Sequence, residues 1–234
     1  MKTLLFFLIL LSNLCFASDV KKEKYIVGLE NINYPPFSYS KAEKVTRSYF
    51  RDVLDAFAQT ENIEFKYKTL PVKRLFQEFI ERKIDFKIPD NEYWFASKKG
   101  ESAIAYSQSI YTTTEAVYTQ KDIKTVSSMV IILGFAPPIP SNLHKDIKIY
   151  TTPKLESAIQ MMTEGRVQSI FISKDVLNNS APNNTFVESP HFPSRDTAYK
   201  LSSIIHPELV MKFDKWFSNN SEKIKKIKLK YNLL

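Results

Sequence analysis

Three short stretches carry side chains able to grip a small molecule. In Asn33-Tyr34-Pro35-Pro36-Phe37, two prolines deny ladder donors and fix φ, so the segment must be a loop. Its rings, with Tyr39 close behind, can stack on the apolar or cationic part of a ligand. Packing beneath the loop is the plainer use, above all for Phe37, which has no polar tip. Arg74 stands at the start of an amphipathic stretch, where a guanidinium can pair with an anionic ligand, Asp85 or Asp90. Asp90, Asn91 and Glu92 offer a carboxylate to a cationic solute and an amide to a hydroxyl. Solvated turn chemistry is the rival for Asp90-Asn91. Trp94 is one of only 2 tryptophans, suited to stacking or to the core. Lys98 and Lys99 read as a solvated pair, while Phe135, Arg195 and Asp196 are weaker cleft or hinge candidates.

Other chemistries lack their residues. His144, His191 and His206 show no metal-ligand spacing, so no metal is expected. There is no G-x-S-x-G, and 4 glycines in the whole chain leave no room for a Gly-rich phosphate loop. Asp52 and Asp55 have helical spacing, on a helix that looks structural. No cofactor is expected.

The elements that must position these groups follow from periodicity. Lys24–Leu29 is a β-rich run. Tyr49–Ala58 places Phe50, Val53, Leu54 and Phe57 on one helical face. Glu64–Leu70 alternates like a half-buried strand, and Val72–Arg82 aligns Leu75, Phe76, Phe79 and Ile80. Ile84–Ile88 is a third strand, stopped by Pro89. This strand–helix alternation predicts a parallel α/β sheet, with ligand contacts at the carboxyl ends of the strands. Those ends are Asn31–Tyr39, Pro71–Arg74 and Pro89–Trp94. Further on, Tyr111–Thr119 is a β-rich segment able to run between lobes. Val126–Leu133, Ile147–Tyr150 and Val167–Ile172 are strand candidates. Pro137–Pro140 is a rigid turn, and Lys154–Glu164 is a helix ended by Gly165. Asn178–Asn184 reads as loop, Thr197–Ile205 as strand, and Pro207 to about Lys230 as one last helix.

With 234 residues, 44% hydrophobic and 25% charged, the composition is globular and excludes a disordered chain, a collagen-like fibre or a disulfide scaffold. Lys2, the apolar run Leu4–Leu11 and the small residues around Ala17 form the layout of a secretory signal peptide over residues 1–17. Leu14 and Asn13 before Cys15 argue against lipidation. Cleavage after Ala17 removes the only Cys, and no later run is long enough to span a membrane. Lys+Arg of 33 against Asp+Glu of 25 gives +8, concentrated near the C-terminus from Lys212 to Lys230. For an exported chain this reads as a solvated basic face, able to touch a permease or an acidic membrane, and not as a nucleic-acid site. Asn183-Asn184-Thr185 matches a glycosylation sequon of the kind Asn-rich turns produce by chance.

The order of motifs resembles the extracellular solute-binding proteins of family 3, the periplasmic receptors of polar amino-acid ABC transporters. Tyr34-Pro-Pro-Phe37 follows the first strand, and the Phe50/Asp52/Ala56 helix and Arg74 precede Lys83-Ile-Asp85. Tyr106–Tyr111, Gly165-Arg-Val167 and the C-terminal Pro207-Glu-Leu-Val through Tyr231 complete the series.

The resemblance implies a two-lobed α/β clamshell of the type II periplasmic-binding-protein kind, each lobe a mixed sheet flanked by helices. Lobe one would be 19–112 plus 198–234 and lobe two 113–197, with crossovers near Thr113 and Arg195. It further implies an Arg after the third strand to clamp an α-carboxylate and a second-lobe acid for the α-amino group. Here Pro89 to Lys99 contains no Arg, and Ser173 stands where the acid belongs, with Asp175 two positions on. Weak affinity for free α-amino acids is therefore expected. The site set is Tyr34, Phe37, Arg74, Asp90, Asn91, Trp94 and Ser173. The expected protein is a monomeric periplasmic receptor for a small polar solute, delivering it to a permease. A ligand sensor acting in trans on a membrane signalling protein is the alternative. A dehydratase-like enzyme using Glu92, Lys98 or Lys174 is a more distant one.

Overall fold

The computed structural model describes residues 22–41, 44–100, 102–137, 139, 146–181 and 186–234. The signal segment, Cys15, His144, the sequon and half of the 137–140 turn lie outside them.

The chain runs β1 (Lys24–Glu30), β2 (Ser38–Lys41), β3 (Lys44–Ser48), α1 (Tyr49–Glu61), β4 (Glu64–Leu70), α2 (Val72–Ile80), β5 (Phe86–Asp90), α3 (Ala96–Lys99) and β6 (Ala105–Tyr106). It continues through β7 (Tyr111–Gln120), β8 (Ser128–Ile132), β9 (Lys148–Thr152), α4 (Leu155–Thr163), β10 (Ser169–Ser173) and α5 (Lys174–Ser180). It closes with β11 (Phe186–Glu188), β12 (Arg195–Ser203), α6 (Pro207–Asn219) and α7 (Ser221–Lys230).

The expected two-lobed α/β architecture is present. In the first lobe β1 pairs in parallel with β4 and β5, and β12 adds antiparallel to β5. In the second, β10 pairs antiparallel with β7 and parallel with β8, which pairs in parallel with β9. The sheets are continuous through β12. Arg195–Tyr199 pair with β7, whereas Lys200 and Ser202 pair with β5.

Helix α1 forms where its apolar positions recur. Ser48 caps its start, its last turn ends on Asn62 in the left-handed region, and Phe50, Val53, Leu54 and Phe57 are buried. The face packs onto β4 and the terminal helices, where the Phe57 ring lies 5.4 Å from Phe213 and 5.6 Å from Trp216. Helix α2 covers β1 so closely that a methyl on Gly28 would sit 2.4 Å from both Leu75 and Ile84.

Three expectations change. Strand β5 does not stop at Pro89 but runs through it to Asp90. A missing N–H is tolerated there because the β5–β12 register shifts between the pairs at Lys200 and Ser202. Asn178–Ser180, read as loop, are the last turn of α5, anchored by the buried Val176 and Leu177. The single C-terminal helix is two. Asn220 turns its side chain back to the Trp216 carbonyl at 2.8 Å and starts α7 in a new direction.

Among the described residues, no helix is long and apolar enough to cross a membrane.

Candidate functional site

The lobes meet around a narrow cavity of about 100 Å³. From the first lobe it is walled by the end of β1, the Tyr34–Phe37 loop, the start of α2 and the turn after β5. From the second come Gly134, Phe135 and Ala136 beyond β8, and Phe171 on β10. Glu115 of β7 and Arg195 and Tyr199 of β12 line it where the lobes join.

The walls are mostly rings. Phe37 lies edge-on to Tyr199 at 5.1 Å and stacks on Phe50 at 5.9 Å, while Trp94 is 5.7 Å from Tyr199. Tyr34 crosses to the second lobe, where Phe135 meets it edge-on at 5.5 Å and the Ser173 N–H donates to its hydroxyl at 3.3 Å. Burial pushes the Tyr34 phenol well above its ordinary range, so it stays neutral. A second bridge joins the lobes: the Asn33 amide donates to Glu156 at 2.6 Å. Gly134 makes the approach closer still. Its φ is +103°, and a Cβ there would lie 2.8 Å from the Val72 Cβ.

Charge in the wall is sparse. Arg195 donates from Nη2 at 3.0 Å and Nε at 3.3 Å to one oxygen of Glu115, which also accepts from Thr197 at 2.9 Å. That pair is mutually neutralised. Glu30 ends β1 at the cavity edge, and among the described residues no hydrogen-bond donor meets its carboxylate. Burial pushes its pKa up to about 7, against a smaller opposing effect from Lys87.

Of the residues singled out from sequence, Tyr34, Phe37 and Trp94 are brought together in the wall. The other four lie outside it. Arg74 projects outward and pairs with Glu78 at 3.0 Å. Asp90 turns into the first-lobe core, fully buried, where it meets Lys99 at 3.1 Å, Lys87 at 3.4 Å and the Ser202 hydroxyl at 2.7 Å. Lys99, expected to be solvated, is thus sealed in, and burial lowers its pKa. Asn91 is buried too, fixing the following turn by donating to the Ala198 carbonyl at 2.9 Å and accepting from the Tyr93 N–H at 2.9 Å. Ser173 is buried beside the cleft, its hydroxyl 2.6 Å from that of Thr113, which in turn donates to Asp175 at 2.5 Å. Phe135 and Arg195 do line the cavity.

Sequence reasoning passed over Glu30 and Glu115. Neither belongs to a motif. Glu30 stood one residue before the loop that the strand-end rule points to, which was the available signal.

The chain folds like several solved amino-acid-binding proteins. One is a mutant of ArgBP from T. maritima, with TM-score 0.69 and 16% identity over 89% of this chain and 94% of that one. Another is ArtJ, the arginine-, lysine-, histidine-binding protein of Geobacillus stearothermophilus, with TM-score 0.68 and 18% identity over 89% and 95%. An ancestral arginine-binding protein bound to glutamine gives TM-score 0.66 and 17% identity over 91% and 99%. At these identities the likeness establishes the fold. No curated protein sequence matches. The sequence profile of the bacterial extracellular solute-binding proteins, family 3, matches residues 25–233.

Proposed function

The chain belongs to the bacterial extracellular solute-binding proteins of family 3, and from that premise we propose that it is a non-enzymatic receptor for a small solute. The solute is captured between the lobes and delivered to a membrane permease of the ABC type. Residues 1–17 direct export to the periplasm and are removed. Strands β7 and β12 serve as the hinge, dividing 19–112 plus 198–234 from 113–197, and closure buries the ligand. Tyr34, Phe37 and Trp94 form its aromatic wall. The observation that carries this reading is the cavity itself, walled by both lobes around the one strand pair they share. The solved relatives named for arginine or glutamine make nitrogen-bearing solutes the first to try. An enzyme on this scaffold draws no support from Glu92, Lys98 or Lys174. Glu92 is paired with Lys200, and none of the three lines the cavity.

The test is a thermal-shift screen of the mature chain, Ser18–Leu234, against amino acids, polyamines, amines, organic acids, sugars and short peptides. Hits are then followed by small-angle scattering. A native-state ligand at a hundred times its Kd adds about 2.7 kcal/mol of stability. A clear shift with one solute class, together with a smaller radius of gyration, is expected. No shift with any class would sink the receptor reading.

A further inference from the structure

We propose that the cleft selects a small organic cation that carries no carboxylate, an alkylated ammonium or similar amine, seated among aromatic rings with its charge toward Glu30. The proposal rests on the receptor reading above and names the chemistry of its ligand.

The charge inventory comes first. Among the described residues, Glu30, Glu115 and Arg195 are the charged groups lining the cavity. Arg195 spends two of its N–H donors on Glu115, and the pair carries no net charge. What remains is one carboxylate, Glu30. A zwitterionic amino acid needs a cation for its carboxylate, preferably a guanidinium fork. None is free here. Arg74 is on the outer surface with Glu78. The Lys87 and Lys99 ammonium groups are buried on Asp90 and on the carbonyls of Pro89 and Asn91. A ligand carboxylate would therefore be desolvated without a partner, whereas a ligand cation meets Glu30.

The rings supply the second half. Tyr34, Phe37, Phe50, Trp94, Phe135 and Tyr199 all border the cavity, and their contacts bridge both lobes. Aromatic faces attract a soft, weakly hydrated cation, most strongly when water is excluded. The chain already uses neighbouring rings in this way, with the Lys87 ammonium 4.1 Å from the centre of Phe76 and 5.4 Å from that of Trp94. A volume of about 100 Å³ suits a compact headgroup.

Binding should also depend on pH. The charged groups facing Glu30 are Lys87 and Asp90 on β5 and Glu115 on β7, and its pKa is raised to about 7. A bound cation favours the carboxylate, so cation affinity falls as pH drops through 7.

Calorimetric titration of the mature chain at pH 8 tests the proposal with choline, its neutral carbon isostere 3,3-dimethylbutan-1-ol, glycine betaine, L-arginine and L-glutamine. Choline is expected to bind at least tenfold tighter than both the isostere and betaine. Glu30→Gln should reduce choline affinity at least tenfold, while Trp94→Leu should shrink the choline-to-isostere ratio; that ratio does not move if a variant merely loosens the fold. Equal binding of choline and isostere overturns the proposal. So does tighter binding of arginine or glutamine, which leaves the receptor reading standing. Silence from all five probes overturns the proposal too, and the receptor reading falls with it only if the broader screen is also silent.

Discussion

At Asp90 one carboxylate faces two ammonium groups in the first-lobe core. Removing it leaves the buried Lys87 and Lys99 without a counter-ion, held by the carbonyls of Pro89 and Asn91. Asp90→Ala should therefore cost about 3–5 kcal/mol in urea denaturation. Arg74→Ala should change stability by no more than about 0.5 kcal/mol, because the Arg74 side chain is solvated and Glu78 keeps Lys68 at 2.5 Å. Both residues looked like ligand contacts from sequence. The strand-end rule located their loops correctly but is blind to which way a side chain turns, and Asp90 turns toward lysines that are distant until the fold forms. Tyr34, Phe37 and Trp94 were legible because rings beside prolines and at strand ends have few other places to go. Glu30 adds a pH signature. Its carboxyl holds a proton in the folded chain up to about 7, against an ordinary value of 4.5. Between those values the folded state binds more protons than the unfolded one, so this group's contribution declines as pH rises through that window. Glu30→Gln should remove the decline, gaining on the order of 1–2 kcal/mol at pH 8 and little at pH 4, as read from denaturation at the two pH values.

Helix α2 and strand β1 meet through Gly28, the one position in their contact with no side chain. Gly28→Ala should cost about 1–3 kcal/mol by overpacking Leu75 and Ile84. Its thermal unfolding should fall accordingly, and trimming Leu75 to Val in the same chain should restore part of the loss. The β1–α1–β4–α2–β5 succession was legible because each element carries its period within a few residues. What escaped depends on distant partners. Strand β5 passes through Pro89 because β12 skips a pair there. The β2–β3 hairpin has little apolar pattern of its own and is tied down through Arg47, whose guanidinium lies over Tyr39 at 5.1 Å and Tyr231 at 4.4 Å. The turn between α6 and α7 is set by Asn220, and nothing in the lysine-rich text around it announces a break.

Across the whole molecule, Gly134 of the second lobe lies against Val72 of the first. Only a residue without a Cβ permits that approach, and its positive φ also favours glycine. Gly134→Ala should shift the population toward open forms, seen as a larger radius of gyration under saturating ligand and as weaker affinity. Val72→Ala in the same chain should recover affinity if contact between the lobes is the cause; without recovery, backbone strain at 134 is responsible. Affinity in such a receptor is set partly by what closure costs, apart from the chemistry of the ligand. The first lobe, meanwhile, carries its own gauge. On a surface crowded with lysines, Lys87 and Lys99 are shut away at 0% and 5% exposure. An amine-acylating reagent will mark the exposed ones within its first exposure and reach these two only when the lobe opens. Their labelling therefore times the unfolding of that lobe.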